Sequence, residues 1–156
     1  MPKAIWWRSC ATVSSYVIEE PTVNLANIEI GYELPSFTTE PINRTTLALY
    51  CGASGDHNPI HVDIDFAKKA GMPDVFAHGM LSMGYLARLL TNWVPQENLR
   101  SYSVRFVAIT QLGDQITCSG KVVEKDEANG TVRLEITTRN QAGEIKLSGE
   151  ALVALN

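Results

Sequence analysis

Cysteine is scarce in this 156-residue chain: Cys10, Cys51 and Cys118 are odd in number, far apart and form no CxxC pair. That spacing offers neither a disulfide framework nor a thiolate zinc site, and it fits a reducing compartment. Basic charge is also in short supply. Thirteen Lys and Arg face 17 Asp and Glu, a formal charge of −4, so there is no electropositive footprint for nucleic acid. One or two local cations would still suffice for a phosphate-bearing ligand. No apolar run approaches the roughly 18–20 residues needed to span a bilayer, and no membrane partner is expected. Ile5-Trp6-Trp7-Arg8 meets a charge too early for a secretory signal. The expected location is cytoplasmic, and the glycosylation patterns at Asn43-Arg44-Thr45 and Asn129-Gly130-Thr131 are read as chance matches.

What the chain has is the composition of a globular protein, 45% hydrophobic, at a length suited to one domain. No repeat, charge run or low-complexity linker divides it. Residues 1–24 lack clean periodicity and are set apart as an N-terminal extension of unknown role. Within it Trp6 and Trp7 are expected to pack onto the domain or lie in a loose tail, rather than to anchor a partner. Residues 25–156 form the domain proper.

From Leu34 to Asn43 the chain reads as extended, held by Pro35 and Pro41 to an edge or irregular strand. Asn43 resembles an N-cap for a helix from Arg44 to about Cys51, with Gly52, Ser54 and Gly55 ending it. A short helix is expected from Asp63, its cap, to Ala70, with Gly71 as the stop. Gly79 to Val94 is apolar on nearly every face, through Met80, Leu81, Met83, Tyr85, Leu86, Leu89, Leu90 and Trp93. A helix of this kind must be enclosed, and it is too short for lipid.

The enclosure is expected from four strand-like runs, Ser101–Thr110, Gln115–Lys125, Thr131–Arg139 and Ile145–Leu155. Asn129-Gly130 and Gln141-Ala142-Gly143 supply turns between them. Read as consecutive hairpins, they make an antiparallel meander. The fold class is then α+β, a curled antiparallel sheet wrapped around one long central helix. Its open edges favour pairing across a two-fold axis, so a homodimer is expected.

Polar, turn-forming and titratable residues are densest at Ser54-Gly55-Asp56-His57-Asn58-Pro59-Ile60-His61. Pro59 bends the chain and pushes Asn58 out of the α region. That bend can aim the Asp56 carboxylate and the His61 imidazole into one cavity, where together they can hold a water and exchange protons with it. Asn58 can orient one of the two by hydrogen bonding. The same pattern also fits a surface loop in which Asp56 caps a turn and His61 is an ordinary histidine. Ala77-His78-Gly79-Met80-Leu81 adds a second element. Gly79 stands at the mouth of the central helix, where free N–H groups and the helix dipole favour developing negative charge. His78 is read as satisfied by local backbone. Ser82 either helps to bind a ligand carbonyl or bonds back to its own helix.

Tyr50-Cys51-Gly52-Ala53-Ser54-Gly55-Asp56-His57-Asn58-Pro59-Ile60-His61, then Phe66-Ala67, then Ala77-His78-Gly79-Met80-Leu81-Ser82-Met83-Gly84, resembles the MaoC-like, R-specific enoyl-CoA hydratases and the related (3R)-hydroxyacyl-thioester dehydratases. The likeness covers roughly residues 28–155. It implies a hot-dog fold, and catalysis by Asp56 and His61 with the Gly79 N–H polarising a thioester carbonyl. The implied reaction is reversible hydration of a trans-2-enoyl thioester of coenzyme A or acyl carrier protein. No cofactor and no metal are expected. His57 occupies a variable position and receives no role. Lys68, Lys69, Arg88, Arg100 and Arg105 are possible partners for carrier phosphates, most being expected as plain surface charge. Three rivals stand further off. A hot-dog thioesterase would commonly place a carboxylate on or beside the central helix, and this chain has no Asp or Glu from Gly79 to Gln96. A metal hydrolase built on His57, His61, His78, Asp63 and Asp65 lacks HExxH. A supporting subunit of a heteromeric dehydratase would have no need of the Asp56–His61 pair, which leaves a catalytic subunit of such a complex open.

Overall fold

The computed structural model describes residues 23–155. The expectations for Trp6, Trp7, Cys10 and most of the N-terminal extension fall outside them. A 3-10 turn at Leu25–Asn27, with Asn24 accepting from the Ala26 N–H, leads in. The elements that follow are β1 (Phe37–Thr38), α1 (Arg44–Ser54), α2 (Ile64–Lys69), α3 (Gly79–Trp93), β2 (Leu99–Phe106), β3 (Thr117–Asp126), β4 (Thr131–Arg139) and β5 (Ile145–Ala154). All strand pairings are antiparallel, in the order β1-β3-β4-β5-β2.

Local chemistry explains most of the boundaries. The Asn43 side chain accepts from the Thr46 N–H and starts α1. Asp63 accepts from the N–H groups of Asp65 and Phe66 and starts α2. The expected end of α1 near Cys51 is corrected: the helix runs through Gly52 to Ser54. Gly52 keeps helical geometry, and the left-handed backbone that closes the helix belongs to Gly55, at φ 74°. The extended stretch after Leu34 pairs regularly only at Phe37 and Thr38, with one further bridge from Glu33 to Lys121. Its prolines withhold the donors that a longer ladder needs.

The four-stranded meander also needs correction. β3, β4 and β5 do follow one another through hairpins, but β2 crosses over to pair with the far edge of β5. Edge β1 takes the flank of β3 that β2 would otherwise have used. Gly149 makes the β2–β5 crossing tight. A Cβ there would lie 2.0 Å from the Ser103 carbonyl oxygen, so only a glycine lets the two strands approach.

Inward residues of the sheet, among them Val122, Leu134, Ile136, Leu147, Ala151 and Val153, bury against Leu86, Leu89 and Leu90 of α3. Gly120 leaves space for Leu89, whose methyl lies 3.4 Å from where a Cβ would stand. Tyr102 donates its hydroxyl proton to the Met83 carbonyl at 2.8 Å and so pins β2 to the helix. The enclosure of α3 is incomplete in one chain. Met80 is 54% exposed, and Phe106, Val107 and Ile109 are also exposed. Among the described residues no helix is long and apolar enough to cross a membrane.

Residues 107–116, between β2 and β3, are held by a buried ion cluster. The Lys146 ammonium donates to the Ile109 carbonyl at 2.8 Å and meets Glu144 at 2.6 Å and Asp114 at 3.1 Å. Burial alone would lower the Lys146 pKa, but hydrogen bonds to Glu144 and Asp114 outweigh it and raise it. Asp114 in turn accepts from the Gln111 N–H and the Asn140 amide. Lys146→Met strands the Asp114 carboxylate and is expected to cost about 3–5 kcal/mol in urea unfolding. Adding Asp114→Leu should return part of that loss.

Candidate active site

Four consecutive residues, Phe76 to Gly79, assemble the site. The Phe76 carbonyl accepts from His61 Nδ1 at 2.8 Å. A carbonyl can only accept, so the Nδ1 proton is fixed and Nε2 is left as the free, basic nitrogen. The Ala77 N–H donates to the Thr110 carbonyl at 2.9 Å, and Phe76 bridges Gln111, which holds residues 107–116 alongside. His78 sends its ring back to the Asp56 loop, with Nε2–H donating to the Asp56 carbonyl at 3.1 Å. Gly79 then opens α3, and no side chain caps that end.

The proline-kinked loop contributes the acid. Gly55 turns the chain out of α1, and Asn58-Pro59 starts a 3-10 turn that ends at His61. The Asp56 carboxylate accepts from the Asn58 N–H, and the Asn58 side chain accepts from the Ile60 N–H, each at 3.2 Å. The expectation that the Asn58 side chain orients Asp56 or His61 is therefore corrected. Its amide builds the turn, and it is the backbone N–H of Asn58 that steers the carboxylate. One donor or acceptor atom from each of Asp56, His61 and His78 lies within 4.8 Å of the other two. Asp56 is exposed while both rings are buried.

His78 corrects the sequence reading most. Its hydrogen bond is to backbone 22 residues away, not to local backbone. Its ring stacks on His61 with centroids 3.8 Å apart and planes 29° apart, and Tyr50 flanks the other contact at 5.0 Å. Desolvation lowers the His78 pKa, with His61 adding to the effect against opposing contributions from Asp56. The Tyr50 pKa is raised by burial and by the neighbouring Asp56 charge, so its hydroxyl stays protonated.

A cavity of about 290 Å³ begins at the head of α3, lined by Phe76, Ala77, Gly79, Ser82, Phe106 and Thr110 among others. Ser82 is buried and bonds to Thr110 Oγ1 at 2.9 Å rather than to its own helix, so it forms part of the wall. Phe106 rests on Gly79. A Cβ added there would lie 2.9 Å from the ring, so the missing side chain is what leaves room. A larger groove of about 630 Å³ runs over the outer sheet face past Arg105, Arg133, Glu135 and Glu150; neither space is lined by Asp56, His61 or His78, and the smaller one adjoins them through Phe76, Ala77 and Gly79. Of the proposed phosphate partners, none lines the inner cavity, and Arg88 lies over the Phe37 ring at 4.6 Å. His57 is exposed. The contributions of Thr110 and Phe106 were missed in sequence because the crossing of β2 brings them here from a distant segment.

With this geometry in view, comparisons with known proteins converge. Residues 26–143 match the family model described as MaoC like domain. The chain is 34% identical over 118 residues to the (R)-specific enoyl-CoA hydratase of Rhodospirillum rubrum, covering 72% of this chain and 78% of that one. It is 32% identical over 139 residues to fatty acid synthase subunit beta of Saccharomyces cerevisiae, covering 85% of this chain but only 6% of that much longer protein. A solved MaoC-like dehydratase superposes with a TM-score of 0.80 at 32% identity, covering 88% of this chain and 43% of that one. The chain belongs to the MaoC-like family and has its hot-dog fold, a family whose relatives here are named as hydratases and dehydratases, that is, hydro-lyases.

The lowered His78 pKa has a consequence for stability. Below the ordinary imidazole value of 6.5 the unfolded chain takes up a proton on His78 that the folded chain refuses. The unfolded state then binds more protons, so this contribution is complete above about 6.5 and is lost as the pH falls below it. Urea midpoints measured between pH 5 and 8 should fall on the acid side, and His78→Gln should flatten that slope.

Proposed function

We propose that the chain catalyses reversible addition of water to a trans-2-enoyl thioester of coenzyme A or acyl carrier protein, giving the (3R)-3-hydroxyacyl thioester. The observation that carries this reading is the approach of the Asp56 carboxylate and the His61 ring, beside an uncapped helix start with an apolar cavity behind it. In this reading a water sits between Asp56 and the free Nε2 of His61. The thioester carbonyl accepts from the Gly79 N–H, where the positive end of α3 stabilises the charge that develops as C3 is attacked. The water oxygen bonds to C3, one of the pair takes its proton, and the other delivers a proton to C2. The two divide the base and acid roles between them. The apolar cavity receives the acyl chain, Ser82 supports the carbonyl end from the wall, and Asn58 holds the loop that presents Asp56. Named relatives of both carrier types support this reading, among them the Rhodospirillum rubrum enoyl-CoA hydratase and a mitochondrial 3-hydroxyacyl-[acyl-carrier-protein] dehydratase of Arabidopsis thaliana.

Residues 25–156 act as one hydratase domain in this proposal, with residues 1–24 as an extension to it, in the cytoplasm. The working unit is a homodimer. Its support is the outer edge of β2, which has no strand partner among the described residues, together with the exposed Phe106, Val107 and Ile109 next to it. Sedimentation of the purified chain should give twice its 17.1 kDa mass. A monomer that turns over only when a second protein is added would favour a heteromeric enzyme instead.

Loss of enoyl absorbance from a crotonyl thioester tests the chemistry. Asp56→Asn and His61→Ala should each lose roughly 10²–10⁴ in rate, and near-normal turnover by either folded variant would overturn the assignment. Gly79→Ala should fold, because the Phe106 ring it meets is half exposed and can shift. A displaced carbonyl should nonetheless cost about 10²-fold in kcat/KM.

A further inference from the structure

The Asp56 loop has few restraints of its own. Within the described residues the Asp56 N–H donates to Ser54 Oγ and its carboxylate accepts from the Asn58 N–H, both two positions away. Neither bond ties the loop to the body of the protein. Two longer-range bonds do so: His61 Nδ1 holds the far end of the turn on the Phe76 carbonyl, and His78 Nε2 holds its near end at the Asp56 carbonyl. The same ring lies face to face with His61 at 3.8 Å. One side chain thus touches the backbone of Asp56 and the imidazole of His61.

Packing does not account for a histidine at this position. His78 is 1% exposed and its Nδ1 has no hydrogen-bond partner among the described residues. An unpaired buried nitrogen is destabilising, whereas an apolar ring of the same size would fill the space without that penalty. Nor does His78 cap α3, which it directly precedes. What the imidazole adds over an apolar ring is the single donated hydrogen bond to Asp56.

We infer that His78 is a positioning residue for the proposed acid–base pair, fixing the separation of Asp56 from His61 by bonding the loop of one and stacking on the ring of the other. It needs no contact with substrate. The inference rests on the hydratase reading and refines it: two groups that share one water must keep their spacing through the reaction, and a loop with only short-range bonds would not hold it. Ångström-scale misplacement of reacting groups costs on the order of 10²-fold in rate.

A crossed pair of variants separates the two contacts. His78→Phe keeps a ring against His61 and removes the donor, while His78→Gln restores a donor and removes the ring. Steady-state rates on a crotonyl thioester, scaled to folded protein, should show kcat of His78→Phe reduced about 10- to 100-fold with KM changed less than about 3-fold. His78→Gln should recover at least about a third of the lost factor on a logarithmic scale, as a donor-dependent role requires. Normal kcat in His78→Phe, or a His78→Gln no better than His78→Phe, overturns the inference. If neither variant folds, nitrogen NMR of the wild-type protein decides. A neutral His78 carrying its proton on Nε2 supports the inference, and a proton on Nδ1 overturns it. Inactive Asp56→Asn and His61→Ala beside a fully active His78→Phe would sink this inference alone, whereas active Asp56→Asn or His61→Ala would remove the hydratase reading beneath it.

Discussion

The hydrogen bond from His61 Nδ1 to the Phe76 carbonyl is the constraint on which the site depends. It fixes which imidazole nitrogen is basic, and it does so from a backbone atom whose own place is set by pairing with the β2–β3 connection. The next three residues take the same geometry onward. Ala77 grips Thr110, His78 reaches Asp56, and Gly79 begins the helix that the sheet surrounds. Because the four are consecutive, a shift in any one of them moves Asp56, His61 and the helix terminus together. The catalytic proposal therefore treats them as one rigid strip.

That strip was only half visible in the sequence. The Asn43 and Asp63 caps, the Thr131–Arg139 strand and the central helix could be read directly, because each is decided within a few residues by side-chain donors or by periodicity. The Asp56–His61 spacing was legible for the same reason, since a proline between them dictates a bend. The neighbour of β2 was not, because pairing order is settled by which sheet edge remains free and by the close approach that Gly149 permits. The bond of His78 to Asp56 was equally hidden. Nothing within 20 residues of His78 announces it, and an HG dipeptide before a helix reads as punctuation until the loop folds back onto it.

Gly52 and Ser82 teach a narrower lesson. A glycine near a helix end invites the reading of a stop, yet Gly52 keeps helical geometry and only Gly55 reaches positive φ. Ser82 in a helix invites the reading of a bond to the preceding turn, yet a threonine from another segment claims its hydroxyl. In both cases local preference was overridden by what tertiary structure placed alongside.

The ion cluster around Lys146 gives the cavity an unusual division of labour. It clamps the stretch behind Val107, Ala108 and Ile109 through the Ile109 backbone carbonyl and the buried Asp114 carboxylate, neither of which belongs to those three side chains. Their identity is thereby uncoupled from the scaffold that supports them. This part of the wall is an exchangeable cassette: side chains at those positions can vary and reshape the cavity while the strip from Phe76 to Gly79 and the central helix stay untouched.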